Sequence, residues 1–173
     1  LGGEKFLDIK CRNLGAWPRL LVLVATLRAL KMHGGAPVKQ SGEPNQTALL
    51  AGLDHLDKHL ETAQYYGFPV LVAINVFPND TKEEIELVRA AVEKRGGRVA
   101  VSEGYGKGGE GSLELARAAA EMADATDSAP PKANYVYDTA ESIPDKVRKI
   151  ATIVYGAKDV VFTSRAEKDM KRI

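Results

Sequence analysis

Short apolar runs alternate along this chain with longer segments of helical period, and this alternation constrains the fold more than any other feature. The clearest runs have the length of strands and lie at residues 20–25, 69–75 and 98–102. Successive parallel strands need a long crossover between them, and a helix usually supplies it. The sequence therefore predicts an α/β fold, a mainly parallel sheet with flanking helices. The first two runs are apolar throughout, which predicts central strands.

The remaining elements are marked by apolar spacing and by helix caps. Weaker strand candidates lie at residues 6–9, 134–137 and 160–162. A helix that ends at Gly67 is predicted by five leucines at helical spacing, Leu49, Leu50, Leu53, Leu56 and Leu60. Thr81 and Glu84 fit a capping box at the start of the next helix. Three later helices are predicted to begin near Ser112, Ser142 and Ser164.

Charge and cysteine content restrict the classes of partner and compartment. The chain has 24 basic and 23 acidic side chains, so it lacks the broad basic field that nucleic-acid binding uses. No apolar run approaches the length of a membrane-spanning helix. Cys11 is the single cysteine and is interpreted as a structural thiol in a reducing, cytoplasmic setting. Leu1 stands where a Met is expected and no signal pattern follows, so we interpret the sequence as starting within a longer protein.

Residues just beyond the carboxyl ends of the strands are the first candidates for function, because ligands of parallel sheets bind there. Phe77 lies in the loop after the second run, where its ring can offer a flat face to a ligand. An alternative leaves this loop without a ligand, with Phe77 folded onto the core and Asp80 capping the following helix.

Residues 102–111 contain five glycines, which allow backbone N–H groups to approach a ligand, and Lys107 can contact an anionic group. Gly106, Gly108 and Gly111 also match the dinucleotide fingerprint. A nicotinamide-dependent oxidoreductase is therefore one alternative, and a flexible turn without a ligand is another. A phosphate loop with Gly-Lys-Ser/Thr is absent from this sequence, so it must lie outside the chain if the protein has one.

The histidines and Lys31 are weaker candidates for a functional site. His55 and His59 share one helical face, but the Glu of the metalloprotease motif is missing, which favours a solvated face over a zinc site. Lys31 and His33 follow the first strand and fit a surface position as well as a ligand contact. We expect no metal site in this chain.

Four blocks of the sequence resemble the formate–tetrahydrofolate ligases, also called formyltetrahydrofolate synthetases. The blocks are residues 4–12, 21–35, 69–80 and 107–111. Most specific is the uninterrupted run Ala29-Leu-Lys-Met-His-Gly-Gly35. The resemblance covers essentially the whole chain.

This resemblance implies a much longer enzyme, of which residues 1–173 are a central fragment. The fragment is expected to be a single α/β region, the second half of a P-loop NTPase-like nucleotide- and folate-binding domain. The implied reaction joins formate to tetrahydrofolate at the expense of ATP, through formyl phosphate, and yields 10-formyltetrahydrofolate. Mg²⁺ with ATP, a monovalent cation and a homotetramer are also implied. The phosphate loop and the main catalytic residues are expected outside the fragment, which is therefore expected to be inactive alone.

Individual positions take roles from the same resemblance. Phe77 matches an aromatic residue, and Tyr105 stands where the family usually has Trp, in the pair that sandwiches the pterin. Lys107 and Gly108 belong to the same implied folate site. Contacts to the nucleotide base are implied for Asn75, Val101 and Ser102. A non-enzymatic alternative is a folate-binding or scaffolding remnant.

Overall fold

The computed structural model describes residues 2–172, so Leu1 and Ile173 lie outside the described residues. The chain forms two compact units. Pro18–Pro131 make the first, here called the sheet unit. Leu1–Trp17 and Lys132–Ile173 make the second, here called the terminal unit.

Three parallel strands form the centre of the sheet unit, in the order β1-β2-β3. Their bounds are Leu21–Ala25 for β1, Val70–Asn75 for β2 and Arg98–Ser102 for β3. The α/β class and the three clear strands predicted from the sequence are thus confirmed. β2 is central and buried, whereas β1 lies at one edge of this three-stranded sheet, with Val22 41% and Val24 64% exposed. The prediction that β1 is a central strand is therefore wrong for the described residues.

Four helices flank the strands: α1 Leu27–His33, α2 Gln46–Tyr65, α3 Lys82–Lys94 and α4 Leu113–Asp124. The helix predicted from five leucines is α2, and four of them are buried while Leu50 faces solvent. Leucines of α1 and α2 pack with valines of α3 and the strands into one apolar cluster. A second, smaller cluster joins Leu71 and Ala100 of the sheet to Ala118 of α4. Helices thus cover both faces of the sheet.

Two helix starts are capped differently from the sequence prediction: the capping box of Thr81 and Glu84 is incomplete, and Ser112 does not act as a cap. Thr81 does cap α3, because its hydroxyl accepts the Glu84 N–H at 3.2 Å. Glu84 does not complete the capping box, however, since its carboxylate is fully buried and bound elsewhere. Ser112 precedes α4 but caps no N–H of the helix, and its hydroxyl lies 3.3 Å from that of Ser102.

Helices and irregular segments make up the described part of the terminal unit. The chain is helical through Gly3–Lys5, a wider π-helical segment at Phe6–Cys11, and Arg12–Leu14. Helix α5 spans Ile143–Lys149 and is capped by Ser142, as predicted. Helix α6 spans Ser164–Met170, which confirms the last predicted helix.

The three weak strand predictions, residues 6–9, 134–137 and 160–162, are wrong. Leu7 and Cys11 are buried at a spacing of four while Phe6 is exposed, which is a helical pattern. In the segment 134–137, side chains replace a partner strand: Asp8 accepts the Val136 N–H at 2.9 Å. In the third segment, Val161 is 91% exposed and residues 160–162 form no strand.

Buried polar groups also organise the terminal unit. Burial alone would raise the pKa of Glu4, but hydrogen bonds from Lys5, Tyr155 and backbone N–H groups outweigh it and lower the pKa to about 2. Cys11 is 3% exposed, and burial raises the pKa of its thiol. A buried thiol kept protonated fits the structural role expected for this cysteine.

Candidate functional site

A tight turn after β2 positions the Phe77 ring. The Asp80 N–H donates to the Phe77 carbonyl at 3.0 Å, and the Asp80 carboxylate accepts the Phe77 N–H at 2.9 Å. Asp80 therefore braces the loop, and the cap of α3 is Thr81 instead. The Phe77 ring is half-buried, so one part of it remains open to a ligand.

Tyr105 lies opposite, in the helical turn Gly104–Lys107 that follows β3. The ring centroids of Phe77 and Tyr105 are 4.9 Å apart, and the ring planes are inclined by 51°. A flat ligand between two rings needs two carbon–carbon contact distances, about 7–8 Å, and nearly parallel planes. The two rings therefore contact each other, and their spacing is too small for a flat ligand to lie between them. Tyr105 is 69% exposed, which leaves its side chain room to rotate outward and admit a planar ligand.

Lys107 and Gly108 end the same turn. The Lys107 ammonium pairs with the Glu103 carboxylate at 2.6 Å, and both side chains are exposed. Exposed pairs of this kind contribute little, so an anionic ligand can compete for Lys107. Gly108 has a φ of +58°, a conformation that favours glycine and turns the chain away from the helical turn.

The backbone of this loop does not offer a dinucleotide cradle at the first two glycines of the fingerprint. The N–H groups of Gly106 and Lys107 donate to the Glu103 carbonyl, and that of Gly108 donates to the Gly104 carbonyl. A pyrophosphate site needs such groups free. The geometry therefore gives no support to the nicotinamide alternative.

The residues expected at the nucleotide base lie together at the end of the sheet. Asn75 and Ser102 are partners in the register of β2 and β3. The Ser102 hydroxyl is near that of Ser112, and the Val101 N–H donates to the Glu114 carboxylate at 3.0 Å. The Asn75 side chain makes no hydrogen bond to any described residue. Of these residues, Asn75 is therefore the one whose side chain can hydrogen-bond to a ligand.

A fully buried ion pair holds the loop between α1 and α2. The Lys31 ammonium lies 3.2 Å from the Glu84 carboxylate and donates to the Glu43 carbonyl at 2.8 Å. The Asn45 N–H donates to the other Glu84 oxygen at 2.7 Å. Sequence reasoning missed this network, although Lys31 shares a buried face with Leu27 at a spacing of four. That spacing indicates that Lys31 is buried, and a buried ammonium needs a partner.

Residues 1–173 match the sequence model of a family described as formate–tetrahydrofolate ligase. The chain belongs to the formate–tetrahydrofolate ligase family. The resemblance inferred from the four sequence blocks is thereby confirmed. The most specific of the runs, at residues 29–35, forms most of α1 and the turn that follows it.

Curated proteins that carry the family name are similar over the whole chain. The formate–tetrahydrofolate ligase of Myxococcus xanthus is 52% identical over 173 residues, which are 100% of this chain and 31% of that protein. Those of Phocaeicola vulgatus and Parabacteroides distasonis are 42% and 43% identical over the same shares. The chain thus spans about a third of the length of these formate–tetrahydrofolate ligases.

Three histidines line a cavity of about 170 Å³ beside β1. His33 and His55 stack at 4.0 Å, and burial together with these two rings lowers the pKa of His59. Across residues 2–172, no three His, Cys, Asp or Glu side chains are arranged to hold a metal ion. No helix in the same range is long and apolar enough to cross a membrane.

Proposed function

We propose that this chain is the tetrahydrofolate-binding part of a formate–tetrahydrofolate ligase. The observation that carries the proposal is the contact of the Phe77 and Tyr105 rings, 4.9 Å apart, beyond the adjacent ends of β2 and β3. Membership of the family supports the substrate class. Two exposed or half-exposed rings at adjacent strand ends can stack on the two faces of a planar bicyclic pterin once they have separated.

In the whole protein, ATP transfers its γ-phosphoryl group to formate, which gives formyl phosphate and ADP. The amine of tetrahydrofolate then attacks the formyl carbon, forms the new C–N bond and releases phosphate. Positioning the amine acceptor is the contribution we assign to this chain, because holding two reactants in place removes much of the entropic barrier. The phosphate loop and the main catalytic residues belong to parts of the enzyme outside this sequence.

The pterin is proposed to lie between Phe77 and Tyr105 once Tyr105 rotates outward. Lys107 offers its ammonium to a carboxylate of the folate tail in exchange for Glu103. Gly108 keeps the backbone beside Lys107 free of a side chain, because its positive φ excludes most other residues.

The adenine of ATP is proposed to contact the end of the sheet at Asn75, Val101 and Ser102. Asn75 carries both donor and acceptor atoms, which suits the edge of a purine. This arrangement supports our proposal that residues 1–173 are part of a P-loop NTPase-like nucleotide- and folate-binding domain.

Our proposals about ions, assembly and compartment rest on the family resemblance alone. Across residues 2–172, no group of three His, Cys, Asp or Glu side chains is arranged to hold a metal ion. We accordingly assign Mg²⁺ and the monovalent cation no residue of this chain. A homotetramer in the cytoplasm, acting on small molecules without nucleic-acid or membrane partners, is our proposal for the whole protein.

Calorimetric titration of the chain with tetrahydrofolate, kept reduced, tests the proposal, with NADH as the comparison ligand. We expect saturable 1:1 binding of tetrahydrofolate and no heat from NADH, because the N–H groups of the first two fingerprint glycines are already bonded. Saturable NADH binding would favour the oxidoreductase alternative. A folded chain, verified by circular dichroism, that binds neither ligand would contradict the proposed function.

A further inference from the structure

Arg28 is a cation beside the aromatic pair that the structure leaves without a counter-ion. Its guanidinium carbon lies 5.7 Å from the centroid of the Phe77 ring. The side chain is exposed and forms no ion pair or hydrogen bond with any residue in the range 2–172. Two other cations of the sheet unit are paired, Lys31 with Glu84 and Lys107 with Glu103.

The position of Arg28 is not explained by the stability of its helix. It is the second residue of α1, whose Ncap is Thr26. A cation near a helix N-terminus is opposed by the helix dipole. Attraction to an exposed Phe ring is of similar size to that opposition, so helix stability alone gives no reason for a cation at this position.

A neighbouring loop lies directly beside the guanidinium. A Cβ at Gly42 would lie only 3.0 Å from Arg28 Nη2, so the loop backbone passes directly beside the guanidinium. This loop is in turn fixed by the bonds of Lys31 to the Glu43 carbonyl and of Asn45 to Glu84. Buried contacts therefore fix the backbone beside Arg28, whose guanidinium has neither an ion-pair partner nor a hydrogen-bond partner among residues 2–172.

We propose that Arg28 binds an oxyanion carried by, or bound beside, the ligand that stacks on Phe77. A guanidinium presents several N–H donors in a planar fork that suits carboxylate and phosphoryl groups alike. The oxyanion is either a carboxylate of the folate tail or a phosphoryl group of the second reactant. The inference rests on the proposed function for the location of the ligand, and it adds a specificity-determining residue to that site.

The test compares wild type with Arg28→Gln and with the matched control Arg117→Gln. Arg117 is an exposed arginine of α4 that also has no partner among the described residues. Each protein is titrated with tetrahydrofolate and with 6-methyltetrahydropterin, which has the ring but no carboxylate. Both titrations are repeated with inorganic phosphate present. In the titration that supplies the oxyanion, we expect Arg28→Gln to weaken pterin binding at least about tenfold relative to wild type, and Arg117→Gln to change nothing.

The four titrations distinguish the two sources of the oxyanion. If the source is the folate tail, Arg28→Gln weakens tetrahydrofolate binding without phosphate but leaves 6-methyltetrahydropterin binding unchanged. If the source is a phosphoryl group, phosphate tightens binding of both pterins to wild type and not to Arg28→Gln. Equal affinities of wild type and Arg28→Gln in all four titrations would overturn the inference.

A second readout does not depend on pterin binding. Phenyl phosphate, a small aromatic oxyanion, is titrated while the Arg28 Nε–H and Phe77 ring signals are followed by NMR. We expect saturable shifts of both signals in wild type and none of the Phe77 signals in Arg28→Gln. If tetrahydrofolate fails to bind while phenyl phosphate shifts Arg28, the proposed function fails and the inference stands. Absence of any shift at Arg28 would overturn the inference.

Discussion

Replacement of Lys31 by methionine is expected to lower the free energy of unfolding by about 3–5 kcal/mol. The ammonium and the Glu84 carboxylate are both fully buried, so the substitution leaves a buried charge whose only remaining partner among residues 2–172 is the Asn45 N–H. It also leaves the Glu43 carbonyl without its donor. Urea unfolding followed by circular dichroism measures the change.

Lys58→Met is the matched control, because Lys58 pairs with Glu61 at the surface of α2. We expect that substitution to change the unfolding free energy by less than about 0.5 kcal/mol. The double variant Lys31→Met with Glu84→Leu should recover only part of the loss, since Glu43 and Asn45 keep unpaired backbone groups. Equal effects of Lys31→Met and Lys58→Met would show that the buried pair does not hold the loop.

Removal of both rings, Phe77→Ala with Tyr105→Ala, is expected to weaken tetrahydrofolate binding about 5- to 150-fold. Each stacking contact contributes about 0.5–1.5 kcal/mol beyond burial, so two contribute about 1–3 kcal/mol. Calorimetric titration measures the change. Tyr105→Trp should bind at least as tightly as wild type, because indole offers a larger face.

Phe6→Ala serves as the control, since Phe6 is an exposed ring in the terminal unit. Its replacement should leave the affinity unchanged. Tyr105→Ala alone is also measured, in case the double variant does not fold. We expect this single variant to fold, because the Tyr105 side chain is 69% exposed and contributes little to the core. An unchanged affinity in the double variant would remove the aromatic pair from the site.

The fold of the sheet unit was largely predictable, because continuous apolar runs such as residues 69–75 are rarely anything but buried strands when helices separate them. The fold of the terminal unit was not predictable from the sequence. Its short apolar segments have partners distant in sequence, as when Asp8 binds the Val136 N–H, and no local pattern encodes such a contact. Tertiary context there overrides the local preference for strand.

The candidate site was predictable in its residues but not in its geometry. Phe77 was singled out by its place after a strand, and Tyr105 by family resemblance. The 51° inclination of the rings depends on rotamers, which spacing does not determine. Glu84 was misinterpreted as a capping residue, although it shares a face with Val88 and Val92 at spacings of four, which indicates burial.

A crystal structure of the chain with tetrahydrofolate tests the central claim most directly. We predict that the pterin lies between Phe77 and Tyr105, that the ring centroids move from 4.9 Å to about 7–8 Å, and that the planes become nearly parallel. Phe77 should move little, because Asp80 braces its backbone, and Tyr105 should account for most of the displacement. A pterin bound elsewhere, with the two rings still in mutual contact, would contradict the account.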